Sequence, residues 1–333
     1  MFFSSMNLMF FITLATGIAL SISSPSWFGA WIGLELNLLS FIPLIVKNKN
    51  QYSSEAALKY FLVQALGSAL IVFLASSSLV AKEFSLIMMT LPLLLKLGAA
   101  PFHFWFPQIL EGLAWPHAII LMTLQKIAPL FLLSYLIDMS TTFSIILGSS
   151  MLSAVIGSLM GLNQTSLRKI LAFSSINHIS WLLVAMLISN KLLMLYFLFY
   201  CLISSSVGLV FFIHQTYFFS QLVNQNKLDN SLKILSSMSL LSLGGLPPFS
   251  GFFPKWIVIQ EMAFSHLFLP LTVLLASSLI TLYFYLRIAI SFFSLSSPKI
   301  KFLILPSHAP FFFIPLIIFL NFIGILWPSL FLL

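Results

Sequence analysis

The stretch Leu95-Lys96-Leu97-Gly98-Ala99-Ala100-Pro101 decides what kind of protein this sequence encodes. It places an ionisable side chain, a flexible glycine and a helix-breaking proline inside an apolar run that is long enough to cross a membrane. A second run, Gly244-Gly245-Leu246-Pro247-Pro248, interrupts another apolar segment in the same way. Such breaks are tolerated at membrane depth only where protein or a water-filled cavity satisfies the freed backbone groups. The two breaks therefore indicate a transport route.

The composition of the whole chain agrees with a membrane location. Of its 333 residues, 60% are hydrophobic and 7% are charged, which excludes an ordinary soluble domain. The apolar runs are continuous rather than alternating, which excludes a transmembrane barrel. The single cysteine, Cys201, excludes an intrachain disulfide and a cysteine cluster for zinc or iron–sulfur ligation. The basic residues lie in short loops, so nucleic-acid binding has no support. We predict an all-α polytopic membrane protein.

The apolar runs are each about 20 residues long and predict about eleven transmembrane helices. They are predicted near residues 3–22, 26–46, 57–79, 86–105, 116–137, 142–160, 168–189, 192–214, 234–261, 265–290 and 309–331. Loops on one side carry Lys47, Lys49, Lys59, Arg168, Lys169, Lys227, Lys233, Lys299 and Lys301. The opposite side keeps Lys82 and Lys191. By the positive-inside rule, the amino terminus lies where the membrane is negative, and the carboxyl terminus lies on the other side.

The first ten spans form two groups of five, and the broken span is the fourth in each group. Because five is odd, the second group is expected to be inverted, as in many secondary transporters. We predict a first half over residues 1–137, an inverted second half over 138–291, and a loop with a final helix over 292–333. Direct similarity between the halves is faint. The repeat therefore rests on the breaks and on charged positions that echo each other, Glu35 with His178 and Lys126 with Arg287.

Four ionisable side chains lie deep in the predicted spans: Glu35, Lys96, Lys126 and Lys255. A charged residue at the bilayer centre costs roughly 2.5–3.5 kcal/mol, so it is by default a candidate for function. Burial disfavours the charge of a lysine and a nearby carboxylate favours it, so a Glu–Lys pair can switch between holding and releasing a proton. A lysine near the interface could instead extend to water, but Lys96 and Lys126 lie too deep for that. His178 adds a side chain that exchanges protons near neutrality, although a lone intramembrane histidine can simply bond a neighbouring helix.

Five motifs in a fixed order carry a resemblance to a known family. They are Gly33–Asn37 (GLELN), Leu95–Trp105 (LKLGAAPFHFW), Gln125–Pro129 (QKIAP), Leu167–Ala172 with Ser174–His178 (LRKILA, SSINH), and Gly244–Lys255 (GGLPPFSGFFPK). Together they resemble the antiporter-like subunit 2 family of mitochondrial NADH:ubiquinone oxidoreductase, respiratory complex I, in its short animal and arthropod-like form. Gln108 departs from the pattern, because relatives often have an acidic residue after the Phe-Pro turn.

The resemblance implies a proton-translocating membrane-arm subunit, driven by NADH-to-ubiquinone electron transfer in other subunits. It implies Glu35 and Lys96 as the switch, Lys126 as the central relay, His178 as the bridge between the halves and Lys255 as the terminal donor. No cofactor or metal is implied in this chain, since FMN, iron–sulfur clusters, NADH and ubiquinone belong to the complex as a whole. The implied partners are other membrane-arm subunits, including antiporter-like subunit 4 and small subunit 4L, and lipids such as cardiolipin. The implied location is the mitochondrial inner membrane, with the amino terminus on the matrix side and the carboxyl terminus on the intermembrane-space side.

Two other functions stay open. The chain could be a stand-alone cation/proton antiporter subunit, or a structural scaffold of the membrane arm whose charges only hold it to its partners. Free-standing exchangers share the lysines but keep about three extra amino-terminal spans. The length of this chain therefore favours the hypothesis that it is a complex I subunit. A scaffold would not need lysines beside helix breaks in both halves.

Overall fold

The computed structural model describes residues 5–46, 50–78, 82–137, 140–224, 230–294, 318–319 and 321–322. Most of these residues are α-helical, and none of them belongs to a β-strand. Eight of the helical stretches are long and apolar enough to cross a membrane. The prediction of an all-α polytopic membrane protein is confirmed, while the count of about eleven spans stays a prediction.

The chain forms two compact units, Met1–Ser153 and Ala154–Leu333. The helices of the first unit are α1 (Ser5–Ser23), α2 (Trp27–Ile45), α3 (Gln51–Ser77), α4 (Lys82–Leu97), α5 (Trp105–Gly112), α6 (Trp115–Met122) and α7 (Leu124–Ser134). The division between the units falls inside α8 (Ser140–Gly161). The second unit continues with α9 (Leu167–Ile188), α10 (Asn190–His214), α11 (Phe219–Asn224), α12 (Asn230–Gly244), α13 (Phe252–Phe264) and α14 (Phe268–Ser294).

Helices α1 and α2 pack closely because glycines lie at their contact. A Cβ added to Gly33 would fall 2.5 Å from the backbone nitrogen of Ser21 and 2.7 Å from the carbonyl oxygen of Gly17. A Cβ added to Gly17 would fall 2.9 Å from the backbone nitrogen of Asn37. Small residues at the contact let two membrane helices approach in this way. The contact fixes the part of α2 that carries Glu35.

The second unit repeats this contact between α8 and α9. A Cβ added to Gly157 would fall 2.7 Å from the backbone nitrogen of Asn177. The two contacts therefore align Asn177 with Asn37. In this alignment His178 corresponds to Leu38 and not to Glu35. By this contact, Glu35 and His178 lie at different positions along α2 and α9.

Helix α9 forms the core of the second unit. Every residue from Ile170 to Met186 is buried. A helix buried on all its faces does not contact lipid, so its polar side chains need partners inside the unit. Trp181 on this helix stacks on Tyr196 of α10, with nearly parallel rings whose centroids lie 6.3 Å apart. The buried helix carries His178 into this environment.

Two predicted spans differ from the structure. The fourth, predicted over 86–105, starts at Lys82 and continues beyond its break as α5 to Gly112. The fifth, predicted as continuous over 116–137, is divided at Thr123, whose φ of −114° and ψ of −78° end α6. Neither glycine nor proline marks that point in the sequence, so the break was not predicted. The eleventh span lies largely outside the described residues, as do Lys47, Lys49, Lys227, Lys299 and Lys301 among the predicted loop charges.

Gly33→Ala is expected to weaken the packing of α1 on α2, because the added methyl group meets backbone atoms that cannot rotate away. Overpacking of this kind typically costs about 1–3 kcal/mol. The measurement is thermal unfolding of the detergent-extracted protein. Gly148→Ala is the matched control, because the described part of the chain has no atom within 4 Å of a Cβ built there. Equal unfolding temperatures for the two variants would contradict the close contact.

Candidate functional site

The first break follows the last turn of α4, where the chain leaves the helix at a left-handed glycine. Gly98 has a φ of 73°, and the N–H of Ala99 donates to the carbonyl oxygen of Leu94 at 3.1 Å. Glycine commonly carries this reversal at a helix end. Trp105, at the start of α5, donates from Nε1 to the carbonyl oxygen of Leu95 at 3.0 Å. The last carbonyls of α4 thus find donors within the protein.

The second break, after α12, ends its helix in the same manner. Gly245 has a φ of 78°, and the N–H of Leu246 donates to the carbonyl oxygen of Leu241 at 3.4 Å. Lys255, in the first turn of α13, donates from Nζ to the carbonyl oxygen of Gly244 at 2.9 Å. Lys255 is 7% exposed. Here the ammonium group of a predicted relay residue satisfies the end of the broken helix.

The two breaks share one construction over twelve residues. Helix α5 begins seven residues after Gly98, and α13 begins seven residues after Gly245. Each break also has a cis peptide bond before the third residue after its glycine. The aligned segments are LGAAPFHFWFPQ (97–108) and GGLPPFSGFFPK (244–255). This alignment matches Lys255 with Gln108, so the similarity between the halves is local to the breaks and does not extend to the lysine.

Lys96 and Lys126 line one small cavity in the first unit. Lys96 lies in the last turn of α4 and Lys126 in the first turn of α7, and the residues are 5% and 2% exposed. The Nζ of Lys126 lies 5.1 Å from the centre of the Phe106 ring. The space between these side chains is about 10 Å³, the lower limit of what one water molecule needs. Its remaining lining residues are Tyr60, Gln64, Leu97, Trp105, Phe106, Leu121 and Gln125. The structure thus brings two of the predicted relay lysines together.

Glu35 lies on α2, half-buried, and interacts electrostatically with Lys96. Within the described residues the two groups do not form a direct ion pair, whereas Lys59 and Glu55 on the surface do, at 2.6 Å. The Oε2 atom of Glu35 is buried and accepts no hydrogen bond from any described residue. The structure therefore shows the two members of the expected switch separated.

His178 is buried among hydroxyl groups in the second unit. Its Nδ1 atom lies 3.0 Å from Oη of Tyr196, and its ring centroid lies 5.2 Å from that of Tyr200. Tyr200 in turn bonds Ser175. The bond to Tyr196 fixes the orientation of the imidazole and couples its tautomer to the phenol. The hydrogen bond of His178 to Tyr196 and that of Lys255 to Gly244 are separate contacts within the unit.

The predictions missed the uncharged polar residues beside the lysines. Tyr60, Gln64 and Gln125 were not candidates, although Gln125 precedes Lys126 in the QKIAP motif. Tyr196 was missed in the second unit for the same reason. An uncharged polar side chain inside an apolar span is the signal that points to such residues. It is a weak signal, because these side chains often serve only to bond neighbouring membrane helices.

The chain is similar to a known family along most of its length. The family model described as NADH:quinone oxidoreductase/Mrp antiporter, TM, matches residues 24–82 and 75–281. The chain is 49% identical to NADH-ubiquinone oxidoreductase chain 2 of Anopheles gambiae, over 88% of this chain and 87% of the relative. It is 45% identical to NADH-ubiquinone oxidoreductase chain 2 of Aedes aegypti, over 96% of this chain and 95% of the relative.

A solved structure shows the same fold. A chain of respiratory complex I from Thermus thermophilus, determined with bound aureothin, aligns with a TM-score of 0.79 and 26% sequence identity. The alignment covers 89% of this chain and 71% of that chain. The family resemblance expected from the five motifs is confirmed.

Gly245→Ala is expected to destabilise the second break and displace Lys255. A left-handed φ costs a residue with a Cβ roughly 1–2 kcal/mol, and the new Cβ would lie 2.9 Å from Cδ and 3.1 Å from Nζ of Lys255. Gly244→Ala is the matched control, because its Cβ would have its nearest neighbour at an ordinary 3.6 Å. Thermal unfolding of the purified membrane complex is the measurement. If Gly245→Ala unfolds no earlier than Gly244→Ala, the left-handed geometry of the break is wrong.

Proposed function

This chain belongs to the NADH:quinone oxidoreductase/Mrp antiporter family of membrane proteins, and we propose that it is a proton-translocating membrane-arm subunit of mitochondrial respiratory complex I. Its close relatives make it a multi-pass membrane protein and a part of an oxidoreductase complex. We assign the amino terminus to the matrix side of the mitochondrial inner membrane and the carboxyl terminus to the intermembrane space, because of the lysine-rich loops.

One observation carries this proposal: Lys96 and Lys126 line the same buried cavity. Burial disfavours a charged amine, and a second positive charge nearby disfavours it further. The pair therefore favours a state in which one lysine holds the proton and the other is ready to receive it. A bridging water can carry the proton between groups that do not touch.

Glu35 controls the first lysine of this relay. A carboxylate close to Lys96 favours its charged form, and a more distant carboxylate favours proton release. The separated arrangement of Glu35 and Lys96 corresponds to the releasing state. In the second unit His178, held by Tyr196, passes the proton on, and Lys255 is the terminal donor.

The energy for transport comes from redox chemistry in other subunits. We propose that FMN, the iron–sulfur clusters, NADH and ubiquinone bind elsewhere in the complex. Among the residues that the structure describes, no group of three or more His, Cys, Asp or Glu side chains could hold a metal ion. The partners we propose are other membrane-arm subunits, including antiporter-like subunit 4 and small subunit 4L, and lipids such as cardiolipin.

Lys96→Met and Lys126→Met test the relay directly. Each variant keeps an unbranched side chain and removes the amine that holds the proton, so we expect most of the proton transport coupled to NADH oxidation to be lost. The measurement is proton transport per NADH oxidised, followed with a pH-sensitive dye in vesicles that contain the assembled complex. Lys191→Met is the control, because Lys191 is exposed at the start of α10.

Each alternative function has its own outcome in this experiment. Unchanged coupled transport in both assembled Lys96→Met and Lys126→Met variants would make the chain a scaffold of the membrane arm. Sodium-driven proton exchange by the chain without NADH would make it a stand-alone cation/proton antiporter.

A further inference from the structure

Three uncharged side chains form a hydrogen-bonded chain beside the lysine cavity. Tyr60 donates from Oη to Oε1 of Gln125 at 3.0 Å. Gln125 donates from Nε2 to Oδ1 of Asn37 at 2.9 Å. Tyr60 and Asn37 are 2% and 3% exposed, so bulk water does not compete for these bonds. The chain ties α3, α7 and α2 together at the level of the two lysines.

Both polar atoms of the Gln125 amide have hydrogen-bond partners. Its nitrogen donates to the oxygen of Asn37, and its oxygen accepts from the hydroxyl of Tyr60. An amide group does not gain or lose a proton under ordinary conditions. Gln125 therefore does not itself carry the proton between Lys96 and Lys126.

Gln125 instead limits the water that can enter between the lysines. Gln125 and Tyr60 line the cavity together with Lys96 and Lys126. The space left over is at the lower limit of what a single water molecule needs. A water bridge needs both room and polar partners. The lysines and Tyr60 supply the partners, and the amide of Gln125 takes up the room.

Gln125 also stands directly after the unexpected break between α6 and α7. The hydroxyl of Thr123 donates to the carbonyl oxygen of Ile119 at 2.7 Å. The N–H of Lys126 donates to the carbonyl oxygen of Thr123 at 3.1 Å. Gln125 and Lys126 therefore belong to the same first turn of α7, and a rotation of that turn moves both side chains together.

We propose that Gln125 is a positioning residue that controls proton exchange between Lys96 and Lys126. While its amide is held between Tyr60 and Asn37, it occupies the place of a water bridge and keeps the lysines disconnected. When the amide leaves these partners, water enters and joins the two lysines. This inference rests on the proposed proton relay, and it assigns control of the relay to an uncharged side chain.

Gln125→Ala tests the inference, because it removes the amide and opens the cavity to water. The assembled complex is placed in sealed vesicles, and proton leak is measured under an imposed pH gradient without NADH. We expect the leak to rise about tenfold, the population change that follows from losing one or two hydrogen bonds. The double variant Gln125→Ala/Lys126→Met is expected to return the leak to the unmodified level, because the opened route passes through Lys126.

Two further variants are measured in the same proton-leak experiment. Gln125→Leu is the matched control, because it fills similar space without the amide, and it is expected to stay sealed. Tyr60→Phe removes one bond to Gln125 and keeps the aromatic ring that packs on Phe41 at a centroid distance of 5.2 Å. It is expected to leak in the same Lys126-dependent way but less strongly, and it tests the inference if Gln125→Ala does not assemble.

The outcomes separate this inference from the relay on which it rests. A leak that persists in the double variant reflects general damage and overturns the inference. Sealed and fully coupled Gln125→Ala and Tyr60→Phe complexes also overturn it, while the relay stands if Lys126→Met alone loses coupled transport. If Lys126→Met transports protons normally, Lys126 is not part of the relay.

Discussion

The structure depends on one constraint: at membrane depth, the backbone groups that a helix break frees must be bonded inside the protein. Both breaks meet this constraint with a left-handed glycine at the helix end. They differ in the side chain that bonds an exposed carbonyl, which is the neutral indole of Trp105 in the first unit and the ammonium of Lys255 in the second. The neutral donor leaves Lys96 available to the cavity. In the second break, the charged side chain of Lys255 itself bonds the last residue of α12.

Uncharged polar groups set the surroundings of the charged ones in both units. Tyr60, Gln125 and Asn37 bond one another beside the two lysines of the first unit, and Tyr196 bonds His178 in the second. A lysine locked in a direct ion pair would hold its proton firmly, because a carboxylate in contact stabilises the charged amine. Amide and hydroxyl groups can surround a buried lysine with polar atoms without forming an ion pair with it. The absence of a direct bond between Glu35 and Lys96 among the described residues fits the same principle.

The spans, both glycine–proline breaks and the buried lysines could be predicted because each is a local signal in an apolar sequence. The break at Thr123 could not, because neither glycine nor proline marks that point in the sequence. The bond between Gln125 and Asn37 could not either, since the two residues lie 88 positions apart in the sequence. The alignment of the second helices of the two units was hidden for a similar reason. It is set by Gly17 and Gly157, because the backbone of the next helix packs directly against them. Nothing in the sequence distinguishes these glycines from the others.

The bond from Lys255 to Gly244 has a mechanical consequence. A charged donor makes a stronger hydrogen bond than a neutral one. A protonated Lys255 therefore bonds the carbonyl oxygen of Gly244 more strongly than a deprotonated one. In the proposed relay, gain and loss of the Lys255 proton would change the strength of this contact between α12 and α13. The protonation of one side chain would then affect how firmly two helices are held together.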